Sequence, residues 1–160
     1  FGISPDRETS AWTNWQEPLR SISSSYERKF YTDEFNDFAA RMQWAAEGQG
    51  NRNPVVRIDG KEGLLPLEVT APAGASLRFD ASASTDPDGD SLRFDWWFQE
   101  FPSEADHSPA ATPALADATS PTVTFNVPAT PGQQYHLICE VHDDGPFTLP
   151  AYRRIIITVE

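Results

Sequence analysis

The chain has 160 residues, 39% of them hydrophobic, and a formal net charge of −12. This length is sufficient for one well-buried domain with an appendage, and the hydrophobic content is that of an ordinary globular protein. The negative charge repels the phosphates of nucleic acids and anionic lipid surfaces, so we expect neither nucleic acid nor a membrane as a partner. Neutral polymers and cations suit it better.

The amino-terminal residues, FGISPDRETSAW, lack the basic and apolar regions of a signal peptide. No apolar run approaches the roughly 18 residues that a membrane span requires. We therefore expect any export signal to have been removed or to lie upstream. The single cysteine, Cys139, excludes an internal disulfide and a multi-cysteine zinc site. Its apolar neighbours in YHLICEVHDDG predict a buried, inert thiol.

Residues 1–50 are predicted to be a helical extension. The segment YTDEFNDFAARMQWAAEGQG has Thr32 as a plausible N-cap, and Gly48 can close the helix in the left-handed conformation. One apolar stripe at helical spacing comprises Phe35, Phe38, Ala39, Met42 and Ala46. Trp44 lies on the opposite side, and Trp12 and Trp15 come earlier. This is more aromatic surface than one short helix can bury, so we expect the segment to dock against something.

Residues 51–160 have a different pattern, with short alternating segments separated by Pro, Gly and Asp. About seven segments are typical of strands: PVVRI, LEVTA, SLRFDA, SLRFDWWFQ, PTVTFNV, QYHLICEVH and YRRIIITV. Their number and spacing predict an all-β fold, an immunoglobulin-like antiparallel β-sandwich of about seven strands. The Pro- and Ala-rich residues 100–120 are predicted to form a long crossing loop.

Period-two alternation assigns the faces of the strands. In SLRFDWWFQ it places Trp96 in the core and Trp97 on the outer face. The inward-facing set is predicted to be Leu92, Phe94, Trp96, Phe98, Tyr135, Leu137, Cys139, Val141, Ile155, Ile157 and Val159. These residues lie in three segments, SLRFDWWFQ, QYHLICEVH and YRRIIITV. If the three strands are neighbours in one sheet, Trp97, Ile138 and Ile156 form an outer apolar patch. Such a patch needs either a cover, for which the amino-terminal segment is available, or a ligand.

Several of these segments resemble a known family. NPVVRIDG, SLRFDASASTDPDGDSLRFDWWF and HLICEVHDDG are similar to polycystic-kidney-disease-type (PKD) immunoglobulin-like domains. FNDFAARMQW, NRNPVV, the double Trp and the closing EVHDDG and YRRIIITV resemble the C-terminal part of bacterial secreted cellulose-binding proteins. In that family a nucleoside-hydrolase-like domain precedes a PKD-like domain. The resemblance implies that the catalytic residues lie upstream and that the upstream domain is a partner. One departure is FQEFPSE, where ordinary PKD domains have Phe-Gly-Asp-Gly after the core Trp.

The aspartates of STDPDGD are predicted to meet others at one pole of the sandwich, because the strand order places three turns there. The expected group comprises Asn53, Asp86, Asp88, Asp90, Asp143 and Asp144. An EF-hand is excluded, since Gly89 is fourth from Asp86 rather than sixth. The resemblance implies a structural Ca²⁺ ion at this pole. The alternative is that the aspartates form Asx-type turns and solvate a loop.

A glycosidase-like acid pair is not predicted, because no second acid of obvious partnership faces Glu140. His136 and His142 share a strand face but are roughly 20 Å apart along it, too far to hold one ion. No catalytic residue is therefore assigned, and the chain is not expected to be an enzyme.

Carbohydrate binding requires exposed aromatic rings that stack on sugars, with polar neighbours for the hydroxyls. The candidates for such a site are Trp97, Arg93, Asp95, Gln99, Trp12, Trp15, Trp44 and Tyr152. The resulting hypothesis is a non-catalytic module of a secreted, periplasmic or cell-surface bacterial protein that binds cellulose or another polysaccharide. The alternative is a PKD-like spacer that orients the upstream domain and binds no glycan.

Overall fold

A computed structural model describes residues 17–101 and 111–160 of the chain. This part contains one helix and six strands: α1 Glu17–Glu47, β1 Leu67–Ala71, β2 Ser76–Asp80, β3 Arg93–Phe98, β4 Thr122–Asn126, β5 Gln134–His142 and β6 Pro150–Val159. Among the described residues, no helix is long and apolar enough to cross a bilayer.

Helix α1 is longer than the sequence predicted. It begins at Glu17, so Thr32 lies within the helix and the prediction that Thr32 is the N-cap was wrong. Pro18 is compatible with this start, because the first turn has no intrahelical use for a backbone N–H. The predicted end is confirmed. Gly48 has a φ of +70° and its N–H donates to the carbonyl of Trp44 at 2.9 Å.

The chain divides into two compact units, Phe1–Thr32 with Glu100–Ala111, and Asp33–Gln99 with Thr112–Glu160. In the first unit, Tyr26 stacks on Phe30 with the ring centroids 6.1 Å apart, and its hydroxyl is hydrogen-bonded to the backbone of Glu100. All the site residues described below belong to the second unit. The division into an extension at 1–50 and a sandwich at 51–160 stays a prediction.

The strands form two sheets, a four-stranded one in the order β1-β6-β5-β3 and the pair β2-β4. Strands β3, β5 and β6 are neighbours and antiparallel, as predicted, but β1 runs parallel to β6. The predicted strand PVVRI makes only two isolated bridges, Val55 with Thr85 and Ile58 with Lys61. Pro54 has no N–H to donate to a ladder, and the turn at Asp59 ends the extended segment.

The core lies between the two sheets and follows the predicted alternation. Trp96 is 2% exposed, and its indole N–H donates to the carbonyl of Ser120 at 3.0 Å. The other predicted inward residues of β3, β5 and β6 are buried in the same cluster, and Leu92 packs against it. The described part is therefore mostly β, a two-sheet sandwich with one N-terminal helix.

The outer face of β5 is also buried. Ile138, Glu140 and His142 point away from the core, yet each is only 7% exposed. Thus β5 is buried on both faces along its second half, and alternation of side chains no longer corresponds to alternation of burial.

The predicted apolar stripe of α1 is not its buried face. Phe35, Phe38 and Met42 are 57%, 59% and 50% exposed, whereas Ala40 is 2% exposed and Asp33 contacts side chains of the sheet. The physical reason is the polarity of that sheet face, because buried carboxylate and imidazole groups need hydrogen-bonding partners that Phe and Met cannot supply.

Candidate functional site

A cluster of two acids and a histidine connects α1 to the outer face of β5. Nε2 of His142 lies 3.0 Å from Oδ1 of Asp33, and Nδ1 of the same ring lies 3.7 Å from Oε1 of Glu140. The side chains of His142 and Glu140 are 8% and 9% exposed and that of Asp33 is 15% exposed. One ligand atom from each of the three residues lies within 4.8 Å of the others.

Two further side chains hold the carboxylates of this cluster. The indole N–H of Trp97 donates to Oε2 of Glu140 at 2.8 Å, and the hydroxyl of Tyr152 donates to Oδ2 of Asp33. Burial, and then the hydrogen bond to Asp33, raises the pKa of Tyr152, so its hydroxyl stays protonated and acts as a donor. Each carboxylate thus has one oxygen occupied by a donor and the other directed at His142.

The sequence analysis missed this cluster. It assigned no acid as a partner of Glu140, whereas Asp33, 107 positions earlier in the chain, contacts the same imidazole ring as Glu140 does. The strand register explains only why Asp95, Glu140 and Tyr152 are neighbours, because it pairs them across three strands. No local pattern indicates that Asp33 joins them. His136, on the same strand face, has its pKa lowered by burial and by Arg154, and it is not part of the cluster.

The amino acids that the sequence predicted to bind a glycan occupy different environments. Trp97 is half-buried with its N–H committed to Glu140, Arg93 is exposed, and Asp95 is half-buried. Gln99 is half-buried, with its backbone N–H bound to the carbonyl of His136. Tyr152 belongs to the acid and histidine cluster. Trp12 and Trp15 lie outside the described residues.

Trp44 lies elsewhere, in a cleft of about 480 Å³. The cleft is lined by Asp37, Ala40, Arg41, Trp44, Asn51, Arg52, Asn53 and Leu149. Trp44 is 36% exposed, and its indole N–H donates to the carbonyl of Asn51 at 2.9 Å. The guanidinium of Arg52 lies 5.4 Å from the centroid of the Trp44 ring, within cation–π range.

Polar side chains line the cleft beside the Trp44 ring. Asp37 accepts from Nε of Arg41 at 2.6 Å, and the amide of Asn53 donates to the carbonyl of Pro150 at 2.9 Å. An aromatic wall beside carboxylate, amide and guanidinium groups can stack on a sugar ring and bind its hydroxyls.

The aspartates assigned to the predicted pole include Asp86, Asp88, Asp143 and Asp144, which lie close enough to Asp90 to raise its pKa. The amide that contacts Asp143 belongs to Asn51, at 3.0 Å, and not to Asn53. The loops are joined by backbone donors, since the N–H of Arg52 binds Asp88 at 2.8 Å and the N–H of Ser91 binds Asp144 at 2.7 Å. These contacts bring together the three turns that the strand order placed at one end.

Two carboxylates at the pole, those of Asp86 and Asp90, have unusual environments. Oδ1 of Asp86 accepts the N–H groups of Asp88 and Asp90, while Oδ2 is buried without a hydrogen-bond partner among the described residues. Burial, then Asp86 and the other nearby aspartates, raises the pKa of Asp90. Gly145 lies beside it, and a Cβ there would be 2.2 Å from Oδ2 of Asp90 and 2.7 Å from Nδ2 of Asn51, so a larger residue would have to displace those side chains.

Comparison with known proteins identifies the family. The model of the family "Cellulose-binding protein Sde0182, C-terminal domain" matches residues 76–159, more than half of the chain. The chain belongs to this family. Trp97, Glu140, His142 and the aspartates of the pole lie within the matched span of the Sde0182 C-terminal domain family, whereas Asp33 and Trp44 precede it.

One solved structure is consistent with that membership. A nucleoside hydrolase-related hypothetical protein from Saccharophagus degradans, associated with carbohydrate metabolism, is 31% identical with a TM-score of 0.73. The match covers 82% of this chain and 32% of that one, so this member of the Sde0182 C-terminal domain family spans about a third of that relative. The PKD domain from KIAA 1837 protein is 18% identical with a TM-score of 0.43, covering 70% of this chain and 92% of its own. None of the curated proteins matches the chain.

Proposed function

We propose that this chain is the non-catalytic glycan-binding part of a secreted bacterial protein that acts on polysaccharides. The observation that carries the proposal is the cleft around Trp44. Family membership supports the class of ligand, because the family is that of a cellulose-binding protein. The net charge of −12 is compatible with an uncharged polysaccharide.

The cleft supplies both parts of a sugar site. The exposed part of Trp44 offers an apolar surface to the face of a pyranose, and the hydrogen bond to Asn51 fixes the orientation of the ring. Asp37, Arg41 and Asn53 line the same cleft and offer acceptors and donors to hydroxyl groups. Trp97 remains a second candidate, although its indole N–H is already donated to Glu140.

The test is retention by glycans. Affinity electrophoresis against soluble glucans and xylans, and pull-down with insoluble cellulose, should show retention of the wild type. Loss of a large apolar side chain that a ligand buries costs about 1.5–3 kcal/mol, so Trp44→Ala should weaken retention tenfold or more. Phe38→Ala is the matched control, because it removes an exposed ring from a different face of the same helix.

The outcomes separate the candidate residues. Loss in Trp97→Ala with full retention in Trp44→Ala would move the site to the outer face of β3. Retention in both variants would exclude both rings and leave Trp12 and Trp15.

The alternative function is that of a spacer that orients an upstream domain. Two observations favour it: the chain covers 32% of the Saccharophagus relative, and Phe38 and Met42 present an apolar surface on α1. Such a surface suits a neighbouring domain of the same polypeptide. If the wild type binds none of the glycans tested, the spacer function is favoured over glycan binding.

Catalysis is not part of the proposed function. A glycosidase needs two carboxyl groups across an open groove, about 5–10 Å apart. Asp33 and Glu140 are instead buried, and both are directed at one imidazole. No hydrolysis of the bound glycan is expected from this chain.

We also propose a structural Ca²⁺ ion at the aspartate pole, with Asn51 in the position that the sequence analysis gave to Asn53. The residues fit such an ion, because Ca²⁺ binds oxygen ligands, Oδ2 of Asp86 is buried without a hydrogen-bond partner among the described residues, and four other aspartates lie near the Asp90 carboxylate. Asp88, Asp143 and Asp144 supply the surrounding negative charge.

Calcium binding should raise the thermal midpoint, since an ion that binds only the folded chain stabilises it. Millimolar Ca²⁺ should raise the midpoint relative to chelator in the wild type and should not do so in Asp90→Asn. Equal midpoints with Ca²⁺ and with chelator in the wild type would exclude the ion and leave Asx-type turns as the role of these aspartates.

A further inference from the structure

The loop between β5 and β6 contains two consecutive residues in a backbone conformation that their side chains disfavour. Phe147 has a φ of +70° and Thr148 has a φ of +50°. Two other non-glycine residues in the described part of the chain have positive φ, Asp59 and Asp117, and aspartate adopts this conformation more readily. For an aromatic and a β-branched residue the conformation is strained, so the surrounding contacts must impose it.

Hydrogen bonds at the base of the loop hold this conformation. Asp143 is 2% exposed, and its Oδ1 accepts the backbone N–H groups of Gly145 and Leu149 at 3.1 and 2.9 Å. The N–H of Thr148 donates to the carbonyl of Gly145 at 3.0 Å. The loop is therefore closed around one buried carboxylate, and residues 146–148 form its tip.

Two further hydrogen bonds tie the loop to the segment that lines the Trp44 cleft. The side-chain amide of Asn51 donates to the carbonyl of Pro146 at 2.9 Å, and the amide of Asn53 donates to the carbonyl of Pro150 at 2.9 Å. Asn51 and Asn53 both line the cleft. The residues between these two attachment points therefore lie beside the cleft.

Phe147 is the aromatic residue among them. It is 39% exposed, whereas Leu149, two positions later, is buried and lines the cleft. A phenyl ring has an apolar face and no hydrogen-bonding group, so it suits stacking on a pyranose rather than binding of a charged group. Strained residues persist at ligand sites when the surrounding structure holds them in place.

We propose that Phe147 is a second stacking residue of the glycan site, so that Trp44 and Phe147 bind different sugar units of one polysaccharide chain. This inference rests on the proposed glycan-binding function and specifies its ligand, which is an extended chain of several uncharged sugar units rather than a single sugar. Because the hydrogen-bonded loop already holds the position of Phe147, little ordering entropy is lost when the chain binds.

The test is the binding of oligosaccharides of different length, measured by isothermal titration. The probes are the disaccharides and hexasaccharides of the β-1,4-glucan and β-1,4-xylan series. The wild type should bind a hexasaccharide tenfold or more tightly than the corresponding disaccharide, because only the longer chain reaches both rings.

The variants separate the ring from the backbone of the loop. Phe147→Gly should weaken hexasaccharide binding tenfold or more and leave disaccharide binding unchanged. Glycine adopts positive φ without steric cost, so this variant should remain folded. Thr148→Gly is the matched control, because it relieves the neighbouring strain without removing a ring, and it should bind as the wild type does. Phe147→Tyr retains the ring and should also bind both probes as the wild type does.

Three results would overturn the proposal. Equal hexasaccharide binding by the wild type and folded Phe147→Gly, with binding weakened in Trp44→Ala, would leave a glycan site at Trp44 alone. Equal weakening in Phe147→Gly and Thr148→Gly would assign the effect to the backbone of the loop. Binding of neither series by the wild type would overturn the glycan-binding function itself, and this inference with it.

Discussion

The hydrogen bond between Trp97 and Glu140 is the residue-scale feature on which the outer face of the sheet depends. The donor is 2.8 Å from a carboxylate that is 9% exposed at its side chain. A hydrogen bond to a charged group contributes about 1.5–3 kcal/mol, and a buried acceptor left without its donor adds a desolvation cost. Trp97→Phe should therefore lower the free energy of unfolding by about 2 kcal/mol, measured by urea denaturation.

The control is a double-mutant cycle with Glu140→Gln. The two single changes should be non-additive by about 0.5–3 kcal/mol, because both remove the same charged hydrogen bond. Additive effects would show that Trp97 contributes through packing alone.

The raised pKa of Asp90 predicts how the stability of the folded chain depends on pH. Its pKa is raised in the folded chain, first by burial and then by Asp86 and the other aspartates. The folded state therefore binds more protons than the unfolded state between the unfolded pKa of about 3.9 and the raised value. Stability falls as the pH rises through that window, and the loss persists at pH 7.

Asp90→Asn should remove this loss. In chelator at pH 7 the variant should melt at a higher temperature than the wild type, and the difference should shrink as the pH falls toward the unfolded pKa. Asp117→Asn, at an exposed position with a φ of +60° that Asn tolerates, should change little. A lower thermal midpoint for Asp90→Asn than for the wild type in chelator would contradict the inference that the charged Asp90 side chain destabilises the folded chain.

Individual residues differ in how far the sequence determines their roles. The inward position of Trp96 and the outward position of Trp97 follow from alternation within one strand, which is a local property. The burial of Glu140 and His142 depends on what lies over the strand, and Asp33 reaches them from a distant helix. Alternation predicts which side of the sheet a residue faces, but it does not predict what packs over that side.

At the scale of elements, the orientation of α1 is the main departure from expectation. Its Phe and Met stripe is exposed, whereas Ala40 is buried beside Leu149 and Trp44 in the cleft lining. Ala40→Leu should overpack this face and lower the free energy of unfolding by about 1–3 kcal/mol. The measurement is chemical denaturation followed by circular dichroism.

Ala45→Leu is the matched control, because Ala45 is an exposed alanine of the same helix. It should change stability by no more than about 0.5 kcal/mol. Equal costs for the two substitutions would show that the face around Ala40 is not tightly packed.

The elements themselves were predicted unevenly, for physical reasons. The six strands were located because each combines alternating apolar residues with Gly, Pro or Asp at its ends. PVVRI has the composition of a strand, but Pro54 and the turn at Asp59 limit it to isolated bridges. The start of α1 was misplaced by 16 residues, from Glu17 to Asp33, since Thr32 resembles an N-cap although the preceding segment also forms helix.

For the whole molecule, a calcium site at the aspartate pole stays a prediction, whereas the fold followed from the number and spacing of the strands. The Trp44 cleft and the acid and histidine cluster did not, because both combine α1 with distant parts of the second unit. Both candidate sites therefore lie where residues 33–47 of α1 contact other parts of the second unit.

The most direct test of the glycan-binding function is an adsorption isotherm of the chain on crystalline cellulose, with Trp44→Ala measured alongside. Saturable adsorption of the wild type, weakened tenfold or more in the folded variant, is the predicted result. Wild-type adsorption no greater than that of a non-binding control protein would contradict cellulose binding. Identical isotherms for wild type and variant would contradict the assignment of the Trp44 cleft.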